Sequence, residues 1–309
     1  MKNVDFKSFT GAKNYAMHIS LMLLGTLVVF TACQDDASFM AGSEEGIIAQ
    51  FRTASSTRVI DEPYFDAGDS VGIYSVKWID YVTPGELKAS GNRQDNCLIY
   101  QIDGNDNWEY VDPIYLPAGG ESVDLYAYYP YMDQPMNPDA TLKVSVRPDQ
   151  SKLIDYKRSD FSTALARGIN LDNNQFTYYF YHRLSQIQFQ LVAGSNIMID
   201  DLLAAEIKLK NVITDASYSY ADNEIHPGTT RSDIIPCGTL EIVDNKVVGK
   251  TGIIIPQTLG SQSELEITIG SSTYTKEFII DETLQMGESY IVSATVNISG
   301  IEIDIYSLE

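Results

Sequence analysis

Strand-like segments recur along most of the chain, and this recurrence limits its fold more than any other feature of the sequence. Short runs of β-branched and aromatic residues are separated by turn-forming clusters such as DGND at 103–106 and PAGGE at 117–121. Such runs are typical of β-strands, and no long stretch has the period of a helix. We therefore predict an all-β fold. The strand predictions cover residues 46–51, 69–78, 96–102, 108–111, 123–131, 141–146, 176–192, 205–212, 240–249, 251–257, 265–278 and 289–298.

The length of the chain favours two domains. Single hydrophobic cores stop growing at roughly 250–300 residues, and this chain has 309. Many short strands with turns between them favour β-sandwiches. The loop-like segment 165–174 precedes a new run of aromatic residues, so we predict two β-sandwich domains in tandem, 46–175 and 176–309, with little helix.

One short segment has helical features. Residues 160–168, DFSTALARG, begin with Asp160 as a potential N-cap and end with Gly168 at the position that follows a helix. This segment predicts one or two helical turns in the connection that leads out of the first domain.

The N-terminal segment has the features of an export signal. Lys2, Lys7 and Lys13 precede the apolar run 21–30, which is too short to span a bilayer, and small residues lead to Cys33. Residues 1–32 therefore resemble a lipoprotein signal peptide, with Cys33 as the lipidated first residue of the mature chain. Residues 33–45 form an acidic tether, which resembles a surface-export tag or serves simply as a polar spacer.

The charge of the chain excludes two classes of partner. The sequence has 42 acidic and 21 basic residues and a formal net charge of -21. Nucleic acid and anionic membrane surfaces are repelled by such a charge. The predicted contact with the outer membrane is therefore made through the lipid on Cys33.

No catalytic or metal-binding motif accompanies the titratable residues. His182 and His226 lack any nucleophile or zinc signature, and we expect His182 to be a hydrogen-bonded structural residue at the domain junction. Cys97 and Cys237 either pair or remain free, buried thiols, of which the second is favoured. We predict no enzyme activity, no catalytic residue, no metal and no cofactor.

Two tyrosine-rich runs have two interpretations. In a β-protein such residues usually fill cores and cross-strand pairs, but they also form stacking faces for sugars. The second interpretation leaves a surface glycan-binding lipoprotein as the alternative function. The residues concerned are Tyr126, Tyr128, Tyr129 and Tyr131, and the run 178–181.

Several segments together resemble the fimbrillin superfamily, the Mfa-like subunits of type V pili. Together with the signal that ends at Cys33, these segments occur in the order of the family and extend over nearly the whole chain. One difference is Phe65, which stands where the family usually has a tryptophan. The segments are IIAQF and STR within 47–58, FDAGDSVGIY at 65–74, LYAYYPY at 125–131, YHRLSQIQFQL at 181–191, GIIIPQTL at 252–259 and LQMGESYIVSATV at 284–296.

The resemblance implies transthyretin-like β-sandwich domains and a proteolytic step. In such pilins an arginine-specific protease cuts behind the first strand of the surface-exposed precursor, and that strand leaves. Here the removable segment is 46–58. Arg58 is the favoured cleavage site, because Thr-Arg stands there at the family's distance from the next strand, and Arg52 is the second choice.

The resemblance also implies assembly by strand exchange. The vacated groove receives a strand from the next subunit, so the partners are other fimbrial subunits, in a fimbrium that supports adhesion to a host or bacterial receptor. Residues 299–309 have the alternation of a donor strand, but they are equally suited to be the last strand of their own domain. The apolar face of this segment consists of Ile301, Ile303 and Ile305.

Overall fold

The computed structural model describes residues 53–55, 65–105, 107–174, 176–278 and 282–308. These residues are nearly all in strands and connections, which confirms the predicted all-β fold with little helix. The first strands are β1 (Thr53–Ser55), β2 (Ser70–Lys77), β3 (Gln94–Gln101), β4 (Trp108–Tyr110), β5 (Val123–Tyr129), β6 (Leu142–Ser145), β7 (Ser162–Ile169) and β8 (Tyr178–His182). The short helices are α1 (Leu153–Lys157) and α2 (Ile199–Leu202).

The remaining strands follow β8 along the chain. They are β9 (Ser185–Ala193), β10 (Glu206–Ile213), β11 (Asp215–Ser219), β12 (Glu224–Pro227), β13 (Arg231–Ile234), β14 (Glu241–Val243), β15 (Lys246–Ile254), β16 (Thr258–Leu259), β17 (Glu264–Ile269), β18 (Ser272–Glu277), β19 (Glu282–Thr283), β20 (Ser289–Asn297) and β21 (Gly300–Ser307).

The first sheet has the strand order β1-β8-β7-β5-β2-β3-β4. Its neighbours are antiparallel except for β1 and β8, which are parallel. All seven residues of β5 are buried, as are six consecutive residues of β2. A strand covered on both faces has no need for polar alternation, and the tyrosine-rich run of β5 therefore lies inside the protein.

An aromatic cluster closes one face of this sheet. The ring of Phe65 is edge-on to the rings of Trp108, Tyr129 and Phe180, with centroid distances of 5.0, 5.3 and 5.1 Å. Such pairs each contribute about 0.5–1.5 kcal/mol beyond the burial of their area. Phe65 thus fills the centre of a core, although it is smaller than the tryptophan of the family pattern.

The opposite face of the first sheet packs against a three-stranded sheet of order β12-β11-β6. The rings of Tyr126 and Tyr220 are 5.0 Å apart, and the Tyr220 hydroxyl donates a hydrogen bond to the carbonyl of Ala127 at 2.6 Å. Because β6 comes from the first half of the chain and β11 from the second, this small sheet joins the two halves.

The second half contains a two-stranded sheet of β16 and β19 and two larger sheets that share one core. Their strand orders are β14-β15-β9-β20-β21 and β13-β10-β17-β18. Alternate residues of β9 and β20, such as Phe189 and Val292, lie in the same apolar cluster as Leu209 and Leu265 from the other sheet. This alternation of inward and outward side chains is what a β-sandwich requires.

The chain passes from the first sheet to the second between β8 and β9. The predicted boundary at 175/176 lies just before β8, which pairs within the first sheet. All the residues that the structure describes belong to one compact unit. The division into domains 46–175 and 176–309 stays a prediction.

The helix predicted at 160–168 is wrong, because this segment forms β7. Its residues from Ser162 onward pair with β5, whose buried strand offers ladder hydrogen bonds and an apolar surface that outweigh a weak helical preference. Gly168 does have a positive φ of 66°, but at an irregularity in the β5–β7 register. Asp160 contacts His182 instead of capping a helix.

Candidate functional site

Most of the predicted N-terminal site lies outside the described residues. This applies to Cys33, to both arginines, Arg52 and Arg58, and to the signal segment 1–32 and tether 33–45. The described part of the removable segment 46–58 is the backbone of β1, Thr53–Ser55.

β1 occupies the edge of the first sheet. It is the terminal strand of the sheet order and pairs in parallel with β8, with Thr53 opposite Tyr178 and Ser55 opposite Phe180. An edge strand is held by hydrogen bonds along only one side. Within the described residues, β1 therefore has a single strand partner, β8.

The side chains of β8 alternate strictly between core and solvent. Tyr178, Phe180 and His182 are buried, whereas Tyr179 and Tyr181 are 54% and 45% exposed. This is the pattern of a strand with one face on the core and one face in water. It presents a definite inward face and outward face to any strand that pairs beside it.

A buried ion pair holds the end of β8. His182 Nδ1 lies 2.9 Å from Asp160 Oδ1, and both residues are buried. Burial by itself lowers the pKa of His182, yet the negative charge of Asp160 and its hydrogen bond raise the pKa above its ordinary value. The histidine is thus hydrogen-bonded at the passage between the sheets, as the sequence predicts.

The predicted donor residues lie on β21, at the edge of the second sandwich. This strand pairs antiparallel with β20, with Ile301 opposite Val296 and Ile305 opposite Val292. Ile301 is buried, while Ile303 and Ile305 are partly buried and pack against the core. The strand thus pairs with a strand of its own chain here, and its role as a donor stays a prediction.

The outward face of β21 is acidic. Glu302 and Asp304 are exposed between the isoleucines, and Tyr306 follows on the same face. The anchoring of the strand weakens along its length, because only its first isoleucine is fully buried.

The tyrosine run of β5 is not a stacking face. Tyr126, Tyr128 and Tyr129 are all buried, and burial raises the pKa of each phenol. Tyr131, beyond the end of the strand, is the partly exposed member of this run. The core-filling interpretation therefore holds for the first three residues.

The described residues contain no grouping suited to metal chemistry. No cluster of three or more potential metal ligands occurs among them. Cys97 and Cys237 are both buried and free, and burial raises the pKa of Cys97 to about 11. No helix in this part of the chain is long and apolar enough to cross a membrane.

The described residues form a nearly all-β chain in which the first strand, β1, and the last, β21, lie at sheet edges. The sequence profile described as fimbrillin-like matches residues 57–306, which is most of the chain. The chain belongs to the fimbrillin-like family. The fimbrillin-like family is one of structural pilus subunits.

Solved structures have the same fold as this fimbrillin-like chain. A protein of Bacteroides uniformis named for cell adhesion is 17% identical over 86% of this chain and 98% of its own, with a TM-score of 0.63. A second such protein, from Bacteroides ovatus, is 17% identical over 85% and 97%, also with 0.63. A fimbrial protein of Bacteroides vulgatus is 14% identical over 83% and 98%, with 0.50. Comparison with curated proteins found no relative.

Sequence reasoning missed one feature of this fimbrillin-like chain, a basic cleft beside the first sheet. Its cations come largely from the segment 143–158. This segment contains five basic and two acidic residues, whereas the whole chain has twice as many acidic as basic residues. That local excess was a usable signal. Sequence alone did not bring it together with residues 66–70 and 129–132, which complete the cleft.

Proposed function

We propose that this chain is a structural subunit of a surface fimbria that assembles by strand exchange and supports adhesion. The precursor is exported as a lipoprotein through Cys33 and is held on the outer membrane surface. An arginine-specific protease cuts after Arg58, or secondarily after Arg52, and the segment that ends there leaves the first domain. A strand from the C-terminal region of another subunit then replaces it.

The observation that carries this proposal is the edge position of β1. The cut after Arg58 releases β1 and leaves the backbone of β8 at Tyr178–Phe180 without its neighbour, while Tyr181 and His182 at the end of β8 still pair with β7. Unpaired N–H and C=O groups at a sheet edge favour the addition of a new strand. β8 thus stays attached to the sheet at its end and acquires a binding edge at Tyr178–Phe180.

The C-terminal strand has the chemistry to fill that edge. Ile301, Ile303 and Ile305 lie on one face and Glu302 and Asp304 on the other, which matches the inward and outward faces of β8. Each isoleucine that becomes fully buried contributes roughly 1.5–3 kcal/mol before the cost of ordering. Donation from one subunit to the next is a head-to-tail contact, which generates an open filament.

The cleavage step is tested on the purified precursor with an arginine-specific protease. We expect release of a peptide that ends at Arg58, or at Arg52, together with the appearance of a ladder of oligomers that resists mild detergent. Mass spectrometry identifies the peptide and gel electrophoresis the ladder. A chain that stays intact and monomeric contradicts the proposal.

Matched variants identify the cleavage site. Arg58→Lys keeps the positive charge but removes the arginine that the protease requires, and Arg52→Lys does the same at the second site. We expect Arg58→Lys to reduce cleavage and oligomers together, and Arg52→Lys to have little effect. If both variants are cleaved to the same extent as the wild type, the protease cuts at a different residue.

The lipid anchor has its own test. In cells supplied with labelled palmitate, we expect the label on the wild-type precursor and not on Cys33→Ser. A Cys33→Ser variant that is labelled as strongly as wild type excludes this cysteine as the lipid carrier.

A further inference from the structure

A cleft of about 680 Å³ lies at one end of the first sheet. Its walls are the residues that lead into β2, the turn after β5, strand β6 and the helix α1 with the residue that follows it. This volume falls in the range of about 300–1,000 Å³ that is typical of small-ligand sites. The cleft therefore has the size for a ligand of one or a few rings.

The cleft is positively charged in a negatively charged protein. Four basic side chains and two carboxylates line it, although acids outnumber bases two to one in the whole chain. The basic residues are Lys143, Arg147, Lys157 and Arg158. A concave surface lined by one sign of charge focuses the potential and concentrates ligands of the opposite sign.

Two of the four cations are paired within the cleft wall. Arg147 lies 3.1 Å from Asp155, and Lys157 pairs with Asp66. Lys143 and Arg158 are exposed, and neither is paired with an acid among the residues that the structure describes. These two side chains are available to an incoming anion.

The second carboxylate of the cleft, that of Asp69, already accepts two hydrogen bonds from the protein. Asp69 accepts hydrogen bonds from the Tyr129 hydroxyl at 3.0 Å and from the backbone N–H of Asp66 at 2.8 Å. It thus stabilises the wall of the cleft. Its negative charge remains, so four cations against two carboxylates leave two net positive charges in the lining of the cleft.

The cleft also has an aromatic surface. Tyr131 is partly exposed there, and its backbone N–H donates to the carbonyl of Ser70 at 2.9 Å, which ties it to the start of β2. The face of an aromatic ring is negative and attracts the positively polarised C–H groups of a sugar ring. Tyr131 thus adds a ring surface to a cleft that Lys143 and Arg158 also line.

We propose that this cleft binds an anionic saccharide, a pyranose that bears a carboxylate or a sulfate. Lys143 and Arg158 pair with the anionic group, and the sugar ring stacks on Tyr131. A long polyanion is disfavoured, because beyond the cleft it meets a chain of net charge -21. A small ligand keeps its charge inside the basic pocket. The site is independent of strand exchange and extends the fimbrial role to recognition of a sugar.

Titration calorimetry on the purified full chain tests this site with three probes that share one scaffold. They are sialyllactose, lactose sulfate and unmodified lactose, so the first two separate a carboxylate from a sulfate and the third lacks both. We expect at least one anionic probe to bind about ten-fold or more tightly than lactose, and its affinity to fall as salt is added. Equal affinity for all three, or no binding of either anionic probe at millimolar concentration, overturns the proposal.

Variants locate the binding. We expect Lys143→Gln and Arg158→Gln each to lower the affinity for the anionic probe by about three- to ten-fold, because a charge-assisted hydrogen bond is lost. Lys246→Gln removes an exposed lysine from β15 and is the control for the same change in net charge. Tyr131→Ala weakens binding and Tyr131→Phe preserves it. Wild-type affinity in both Lys143→Gln and Arg158→Gln overturns the assignment to this cleft.

Discussion

Asp124, whose side chain is fully buried, receives the indole N–H of Trp78 on Oδ1 at 2.7 Å and the guanidinium of Arg167 on Oδ2 at 2.9 Å. The backbone N–H of Gly168 also donates to Oδ1 at 2.9 Å. One carboxylate thus connects β5 to the end of β2 and to the irregular end of β7. A buried charge is tolerated when its hydrogen bonds are satisfied in this way.

Replacing this carboxylate should be costly. Asp124→Ala leaves the Trp78 indole and the Gly168 N–H without their acceptor, and we expect a loss of roughly 3–5 kcal/mol in the free energy of unfolding. Urea unfolding followed by tryptophan fluorescence measures it. Arg167→Gln is the comparison, and we expect it to lower the free energy of unfolding by less, because this arginine is 57% exposed and Asp124 keeps the Trp78 and Gly168 N–H donors. Equal losses in the two variants contradict the central role of the carboxylate.

The buried pair of His182 and Asp160 predicts a dependence of stability on pH. Because the pKa of His182 is raised in the folded chain, its contribution is full below the ordinary histidine pKa of about 6.5. That contribution is lost as the pH rises through the raised folded value. His182→Gln should remove this decline and cost roughly 3–5 kcal/mol at pH 6, because Asp160 is left buried and unpaired.

The matched control for this prediction is the exposed histidine of the second half. His226→Gln removes an imidazole that pairs with Asp222 at 3.0 Å on the surface, so it should leave the pH profile of the wild type unchanged. Urea unfolding from pH 5 to pH 9 gives the profile. If His182→Gln keeps the wild-type profile, the pair does not produce it.

Gly72 gives a steric prediction. A Cβ at this position would overlap the ring of Tyr128, and that ring is fixed because its hydroxyl donates to Asn96 Oδ1 at 2.6 Å. Gly72→Ala should therefore lower the free energy of unfolding by about 1–3 kcal/mol or more. In the background of Tyr128→Ala the same change should cost little, since the overlap is gone. Strict additivity in this double-mutant cycle, measured by urea unfolding, argues against the overlap.

Gln150 gives a prediction about the connection between the halves. Its buried amide donates to the carbonyl of Ile253 at 2.7 Å and accepts the N–H of the same residue at 2.8 Å. Gln150→Leu keeps the side-chain volume but leaves the carbonyl and the N–H of Ile253 without these partners. We expect the free energy of unfolding to fall by about 2–4 kcal/mol. Gln257→Leu, which breaks similar bonds to Ile213 within the second half, is the comparison. A Gln150→Leu protein within about 0.5 kcal/mol of wild type contradicts the prediction.

The sequence predicts strands well where the pattern is local. Alternation and turn residues located β2, β3, β4, β5, β6, β10 and β20 to within a few residues. It failed at β7, because the segment from Asp160 to Gly168 has helix-compatible residues and its partner β5 is distant in the chain. Tertiary pairing overrides a weak local preference.

The change of sheet was also missed, although its signal is visible. The run 176–192 was predicted as one strand, but β8 and β9 belong to different sheets. Buried positions are even-numbered in β8, as at Tyr178 and Phe180, and odd-numbered in the apolar part of β9, as at Ile187 and Phe189. A shift of parity means that the side chains have changed face, which requires a break in the strand or a β-bulge.

Hydrogen–deuterium exchange of β8 is the most direct measurement of the proposed strand exchange. The amides of Tyr178–Phe180 are followed in the intact precursor, after arginine-specific cleavage, and after addition of a synthetic peptide of residues 299–309. The same peptide with Ile301, Ile303 and Ile305 replaced by serine is the control. The account predicts that exchange rises on cleavage and falls again with the native peptide alone, whereas exchange that is unchanged by cleavage and by the peptide contradicts it.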